Sequence, residues 1–376
     1  MEGVTQVHLV INATELGRQR GGNESYIAGV LAGLAALRPP LEVTLLTCNW
    51  GKALNLPYPF RQVNLGPYRR LPFLLWQQTL ALRRLKADWY LSHFFLPPLL
   101  PCRGAVLVYD LSFRAYPEYF PRTVAWYMTR LTGLAIRQAE RILTISEFSR
   151  QELCRFYPVK QDRVYNLLGG VGSEFRPLSD GSELAGEQAI LERYGLTRPY
   201  IFALGNIHPR KNLGRLLEAY ATLKSRQCSL PTMVWGGLER WDSSELVTEA
   251  RERGVNLPGF IAQEDLPTLY RQAEMLIYPS LYEGFGLPPI EAMACGTPVI
   301  TSNTTSLPEV VGTAALTVNP TSVEAIAAAI AQLLDDNSLR EKLQQAGIKR
   351  AREFTWPRTS QRLLEALDGQ PTAGST

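Results

Sequence analysis

The sequence predicts an α/β protein made of two parallel-sheet domains, and three observations lead there. Short β-branched or apolar runs alternate with longer helical patterns along the chain. The alternation restarts near residue 200, after a stretch rich in Gly, Ser and acidic residues. The length of 376 residues, at roughly 150 per domain, suits two domains that each bury a core.

In the first half the expected strands are residues 7–12, 43–47, 89–92, 105–109, 142–145 and 164–168. Helical periodicity fills residues 24–37, 73–85, 123–138 and 147–157 between them. In the second half the strands are expected at 200–204, 233–235, 255–257, 275–278 and 299–301. Helices follow at 213–224, 244–253, 266–272, 288–295, 323–334 and 339–353. The chain then divides into an N-terminal domain (1–172), a linker (173–186), a C-terminal domain (187–355) and a last segment (356–376). That last segment is expected to carry a helix returning to the N-terminal domain, then a frayed tail. In open sheets of this type ligands bind beyond the strand carboxyl ends, so the two domains are expected to face a central cleft lined by post-strand loops.

Composition narrows the function. Hydrophobic residues at 45% and charged residues at 20% exclude wholesale disorder. A net charge of +4 does not point to nucleic acid, and none is expected as a partner. The longest apolar-plus-Gly run, residues 27–37, has eleven residues, where a membrane-spanning helix needs about 20. The first residues lack the basic-then-apolar pattern of a signal peptide. Five scattered cysteines without a C-x-x-C pair fit a reducing compartment, so a cytoplasmic location is expected. The charge is uneven, however. Residues 61–137 hold eleven Arg or Lys against three acids, while the rest of the chain is net negative. Basic and bulky apolar residues mix at 68–76 and 83–86, and an apolar loop follows at 94–98. The pattern suits either a core helix with solvated basic ends or peripheral docking on an anionic membrane.

Three loops concentrate chemistry. After the first strand, Gly21-Gly22-Asn23-Glu24 runs into a helix, and Gly22 leaves room for an anion at the helix N-terminus. A flexible surface turn explains the same residues. After the strand at 200–204, adjacent Arg210 and Lys211 offer a guanidinium fork and a point charge to a diphosphate, the alternative being two solvated cations. The densest signal is Glu283-Gly284-Phe285-Gly286-Leu287-Pro288-Pro289-Ile290-Glu291. Here the N–H groups of Phe285, Gly286 and Leu287 can point at a ligand, while Glu283 and Glu291 can accept from sugar hydroxyls. Glu291 is expected in the first turn of the helix, where a stabilising interaction with the helix dipole is the simpler explanation.

These residues resemble the family-4 retaining glycosyltransferases of the GT-B fold, two Rossmann-like domains around a cleft. The Glu283 to Glu291 pair around Gly-Phe-Gly-Leu-Pro is similar to that family's signature, and Arg210-Lys211-Asn212 to its donor-phosphate segment. Supporting similarities are Ser146-Glu147-Phe148-Ser149, Gly170-Val171, Gly296-Thr297-Pro298-Val299, Leu307-Pro308-Glu309 and Phe354-Thr355-Trp356.

The resemblance implies a hexosyltransferase acting on a nucleotide-diphosphate sugar of mannose or glucose type, with a glycan or lipid-linked glycan as acceptor. It implies Arg210, Lys211 and Glu283 as catalytic residues. It also implies a donor site of Gly22, Arg210, Lys211, Glu283, Phe285, Gly286, Leu287 and Glu291. On the acceptor side it implies Asp110 and Tyr109, the tyrosine standing where the family often carries histidine. Asn206 likewise stands where many members carry a phosphate-binding arginine. No D-x-D motif occurs, so neither a metal nor another cofactor is expected. The competing readings are a sugar-nucleotide epimerase of the same fold and a non-catalytic nucleotide-sugar-binding subunit. A dehydrogenase is weaker, because neither half carries G-x-G-x-x-G at its first strand.

Overall fold

A computed structural model describes residues 6–18, 21–49, 59–178, 184–226, 230–239 and 244–369. The chain forms two compact units, residues 1–170 with 355–376, and residues 171–354.

The first unit holds a seven-stranded sheet of β1 (His8–Asn12), β2 (Glu42–Asn49), β3 (Arg61–Pro67), β4 (Trp89–His93), β5 (Arg103–Leu107), β6 (Arg141–Thr144) and β7 (Val164–Asn166). All pairings are parallel, in the order β3-β2-β1-β4-β5-β6-β7. Central strands such as β1 and β4 are buried along their whole length, as expected of a sheet covered by helices on both faces. The order reverses between β1 and β4, a position where parallel sheets open a crevice at their carboxyl ends. β3 was not expected from the sequence: its residues are mostly exposed or half-buried, so it lacks the apolar run that marks an inner strand.

The helix Trp356–Asp368 belongs to this unit and packs on the helix Gly22–Leu37. Trp356 meets Tyr26 edge to face at 5.4 Å, and the Ser360 hydroxyl donates to the carbonyl of Val30 at 2.8 Å. Arg362 donates to the carbonyl of Asn166 at 3.1 Å, fastening the helix near the end of β7.

The second unit holds a six-stranded sheet of β8 (Tyr200–Leu204), β9 (Thr232–Gly236), β10 (Asn256–Gly259), β11 (Met275–Tyr278), β12 (Val299–Ser302) and β13 (Leu316–Val318). It too is parallel, ordered β10-β9-β8-β11-β12-β13, with its reversal between β8 and β11. The helices Leu213–Arg226 and Val323–Asp335 bury Leu216, Leu217, Ile326 and Ile330 against Ile201, Trp235 and Ile277. Burial of this apolar area is the main stabilising term, at roughly 25 cal/mol per Å².

The segment expected as a linker, 173–186, is packed where it is described. Phe175 is buried and meets Tyr270 at 6.1 Å, Arg271 donates to the carbonyl of Arg176, and a helix begins at Leu184. Its polar composition concealed the one aromatic that anchors it. Residues 179–183 and 370–376, parts of the expected linker and tail, lie outside the described residues.

Candidate donor-binding site

The site in the second unit forms at the β8/β11 reversal. β8 ends at Leu204, and the chain turns through Gly205 into the short 3₁₀ turn Pro209–Lys211. Gly205 has φ of 140°, and a Cβ there would lie 3.0 Å from Cε of Lys211, so a bare backbone lets the lysine stem cross the strand end. Asn212 takes the left-handed conformation with φ of 64°. Its amide donates to the carbonyls of Pro279 (3.0 Å) and Pro320 (2.7 Å), so it ties this turn to the segment leaving β11. The amide of Leu281 completes the tie by donating to the carbonyl of Arg210 at 2.7 Å.

That staple brings Arg210, Lys211 and Glu283 together. Nζ of Lys211 lies 2.7 Å from Oε1 of Glu283 and donates to the hydroxyl of Tyr278, the last residue of β11. Arg210 donates to Oε2 of Glu283 and to the carbonyl of Tyr282, each at 3.0 Å. Burial by itself would push the Glu283 carboxyl up, but Arg210 and then Lys211 outweigh it and hold it down at about 2. Two cations share one carboxylate, so these three groups sum to a net positive charge; Lys211 and Glu283 are buried and Arg210 is half-buried. A hydrophobic cluster of equal volume is commonly as stable as a buried ionic one, so this arrangement points to an anionic ligand.

The glycine turn lies beside this cluster in sequence. Gly286 has φ of 108° and precedes the helix Leu287–Ala294, whose next two residues, Pro288 and Pro289, carry no N–H. The amides of Phe285, Gly286 and Leu287 donate to no acceptor among the described residues. The turn is held from behind: the Ser306 hydroxyl donates to the carbonyls of Glu283 and Phe285, both at 3.0 Å, and Phe285 packs edge to face on Phe354. A rigid turn with unused donors at a helix N-terminus is suited to oxygen atoms bearing negative charge.

Glu291 is the fifth residue of its helix and therefore lies in the second turn, because both prolines occupy the first. The helix-dipole explanation weakens accordingly, since that effect fades beyond the first turn. Its carboxyl is buried, accepts from the Tyr270 hydroxyl at 2.9 Å, and is pushed up to about 7 chiefly by burial.

In the first unit Gly22 begins the helix Gly22–Leu37, and a Cβ there would meet nothing within 4 Å. The nearby amide of Gly17 donates to Glu24 at 2.6 Å, while Gln19 and Arg20 of this loop lie outside the described residues. The two residues expected on the acceptor side, Asp110 and Tyr109, both have partners within the first unit. Oδ1 of Asp110 accepts from the amide and hydroxyl of Ser112, which starts the short helix Ser112–Ala115. Tyr109 is buried, with its hydroxyl 2.9 Å from Nδ1 of His93, whose Nε2 lies 2.7 Å from the carbonyl of Asn12. A carbonyl only accepts, so Nε2 carries the proton, and Nδ1 accepts from Tyr109. The tyrosine hydroxyl thus faces the β1/β4 reversal from inside, and no proton-transfer role for it toward an acceptor follows. Asn206 is likewise occupied, accepting from the amide of Leu238 at 3.2 Å.

Tyr278, Tyr270 and Ser306 were not singled out in the sequence. A hydroxyl-bearing aromatic as the last residue of β11 was the available signal for Tyr278; no spacing rule marks the other two.

Residues 190–350 match the family of Glycosyl transferases group 1, and residues 20–173 match Glycosyltransferase Family 4. Over 298 residues the chain is 37% identical to an O-antigen chain mannosyltransferase B of Escherichia coli, covering 77% of this chain and 76% of that one. It is 31% identical over 253 residues to a serotype-specific mannosyltransferase WbdA of the same organism, covering 66% of this chain and 31% of that protein. Among solved structures, a sucrose-phosphate synthase from Thermosynechococcus elongatus superposes with a TM-score of 0.78 at 20% identity, over 96% of this chain and 98% of that one. HepE of Anabaena, solved with UDP and glucose, gives 0.76 at 16% identity, over 96% and 100%. These relatives do not favour the epimerase or the silent-subunit reading. This chain belongs to the group 1, family-4 glycosyltransferases and has their GT-B fold.

Proposed function

We propose that this glycosyltransferase moves a mannose-type hexose from a nucleoside-diphosphate sugar to a glycan or lipid-linked glycan, with retention at the sugar carbon and without a metal ion. The observation that carries the reading is the Arg210–Glu283–Lys211 cluster, in which two cations converge on one buried carboxylate, an arrangement that suits a departing diphosphate. The mannosyltransferase relative at 37% identity supports the sugar class.

Arg210 and Lys211 stabilise negative charge as the bond from the sugar carbon to the phosphate oxygen breaks. The amides of Phe285, Gly286 and Leu287, with Glu283, orient the sugar and phosphate oxygens. The departing phosphate oxygen accepts the proton of the attacking hydroxyl, so no side-chain base is needed and the new bond forms on the face the diphosphate leaves. Glu291 accepts from ribose hydroxyls. Two protein cations supply the charge that a divalent ion supplies elsewhere.

A donor panel with and without EDTA tests this. Transfer from GDP-mannose that survives excess chelator is the expected result. Loss on chelation, restored by Mg²⁺ or Mn²⁺, contradicts the metal-free reading, and turnover of the donor to an epimer without acceptor contradicts transfer.

A further inference from the structure

Two neighbouring helical segments of the first unit expose an apolar and cationic surface that the donor site does not use. The rod from residue 70 to 85 contains the π-helical turn Phe73–Gln77. That wider turn shifts the helical phase by one residue. The buried row runs Phe73, Gln78, Leu82, and the exposed row runs Leu71, Trp76, Leu80, Arg84, each with one five-residue step. Gln78 steadies the turn by donating to the carbonyl of Phe73 at 2.9 Å. Leu71 is 67% exposed and Trp76 50%.

The helix Arg122–Gln138 presents a second exposed row at four-residue spacing: Arg122, Trp126, Arg130, Leu134. Trp126 is 65% exposed. The Arg70 guanidinium stacks over the ring of Tyr127 at 3.9 Å, joining the two segments into one surface. Arg122, Thr123, Trp126 and Tyr127 line a shallow recess beside that bridge. Neither helical segment contains an Asp or Glu. The loop at 94–98, expected to join this surface, is instead mostly packed: Leu96 is buried and Phe94 lies against Tyr109 and Phe113. Arg103 is also drawn away, paired with Glu140.

We infer that this two-helix surface docks the protein on an anionic lipid bilayer, with Leu71, Leu75, Trp76, Leu80 and Trp126 entering the interface and Arg69, Arg83, Arg84, Arg122 and Arg130 meeting the headgroups. Charge decides among occupants. A second copy placed symmetrically would set arginines against arginines with no acid between them. A nucleic acid would satisfy the cations and leave the leucines and tryptophans uncovered. An anionic bilayer meets both, and combined apolar and basic contacts are what hold interfacial helices. Among the described residues no helix is long and apolar enough to cross a membrane, so this contact is peripheral.

The test is co-sedimentation of the full chain with phosphatidylcholine vesicles, with and without roughly one third phosphatidylglycerol. Most of the protein is expected to pellet with the anionic vesicles at low salt and to release in about 1 M salt, where the screening length falls to about 3 Å. Both Arg83→Glu/Arg84→Glu and Trp76→Ser/Trp126→Ser should reduce pelleting several-fold. All four positions are exposed, so an unchanged Tm and unchanged transfer to a free glycan serve as fold controls. Equal pelleting with both vesicle types, none with either, or variants that pellet like wild type overturn the inference. So does a dimer of the free protein that the Trp76→Ser/Trp126→Ser change abolishes.

Discussion

Nζ of Lys211 lies 2.7 Å from Oε1 of Glu283, and the two residues come from loops that leave β8 and β11, the strands between which the sheet order reverses. A lysine 72 positions from its partner is thus placed by topology, at the point where parallel sheets open their ligand crevice. The same logic places His93 and Asn12 at the β1/β4 reversal of the first unit.

Glu291 titrates against the fold. Its carboxyl rests near 7 when folded, above its ordinary value of 4.5, so between those pH values the folded chain binds more protons than the unfolded one. Its ionisation therefore takes stability away as pH rises from about 4.5 to about 7, and the loss is complete above that. Glu291→Gln cannot ionise. Its Tm relative to wild type should rise from pH 5 to pH 8 while its affinity for nucleoside diphosphate falls. A Tm difference that stays flat across this range would show that the carboxyl titrates normally.

Asn212 works as a staple within the signature segment. Asn212→Ala removes two donors to buried carbonyls and puts a Cβ-bearing residue without a side-chain hydrogen bond in the left-handed region. Each orphaned partner costs about 1–3 kcal/mol. At about 2–4 °C per kcal/mol for a unit of this size, a fall in Tm of several degrees is expected. Asn212→Asp, which keeps the shape but cannot donate, should fall comparably.

Tyr109 is a positioning residue by the same reasoning. Tyr109→Phe strands Nδ1 of His93 without its donor, at a cost of about 1–3 kcal/mol in stability. At temperatures where the variant is folded, the pH profile of kcat/KM should match that of wild type. A lost or shifted limb of that profile would mean the hydroxyl transfers a proton after all.

The strands at 200–204 and 275–278 were legible to the residue, because continuous apolar runs mark central strands that are covered on both faces. β3 and the three-residue β13 were not: β3 is exposed or half-buried along its length and β13 buries one residue of its three, so neither carries a continuous buried run. In the site, Arg210, Lys211, Glu283 and Glu291 stood out as charges next to strand ends and glycines. The roles of Asn212 and Tyr109 could not be read, because each depends on partners far along the chain that only the sheet order brings close. A helix was expected at 73–85, but its start at Arg70 and its π turn were not, and that turn decides which apolar residues face outward.

The most direct measurement is kcat/KM for transfer from GDP-mannose by wild type, Arg210→Ala and Lys211→Ala, with Tm recorded alongside because either change leaves Glu283 with one cation. If the pair stabilises the leaving diphosphate, Lys211→Ala should lose on the order of 100-fold in kcat/KM and Arg210→Ala should lose heavily as well. A folded Lys211→Ala enzyme within about threefold of wild type would contradict the account.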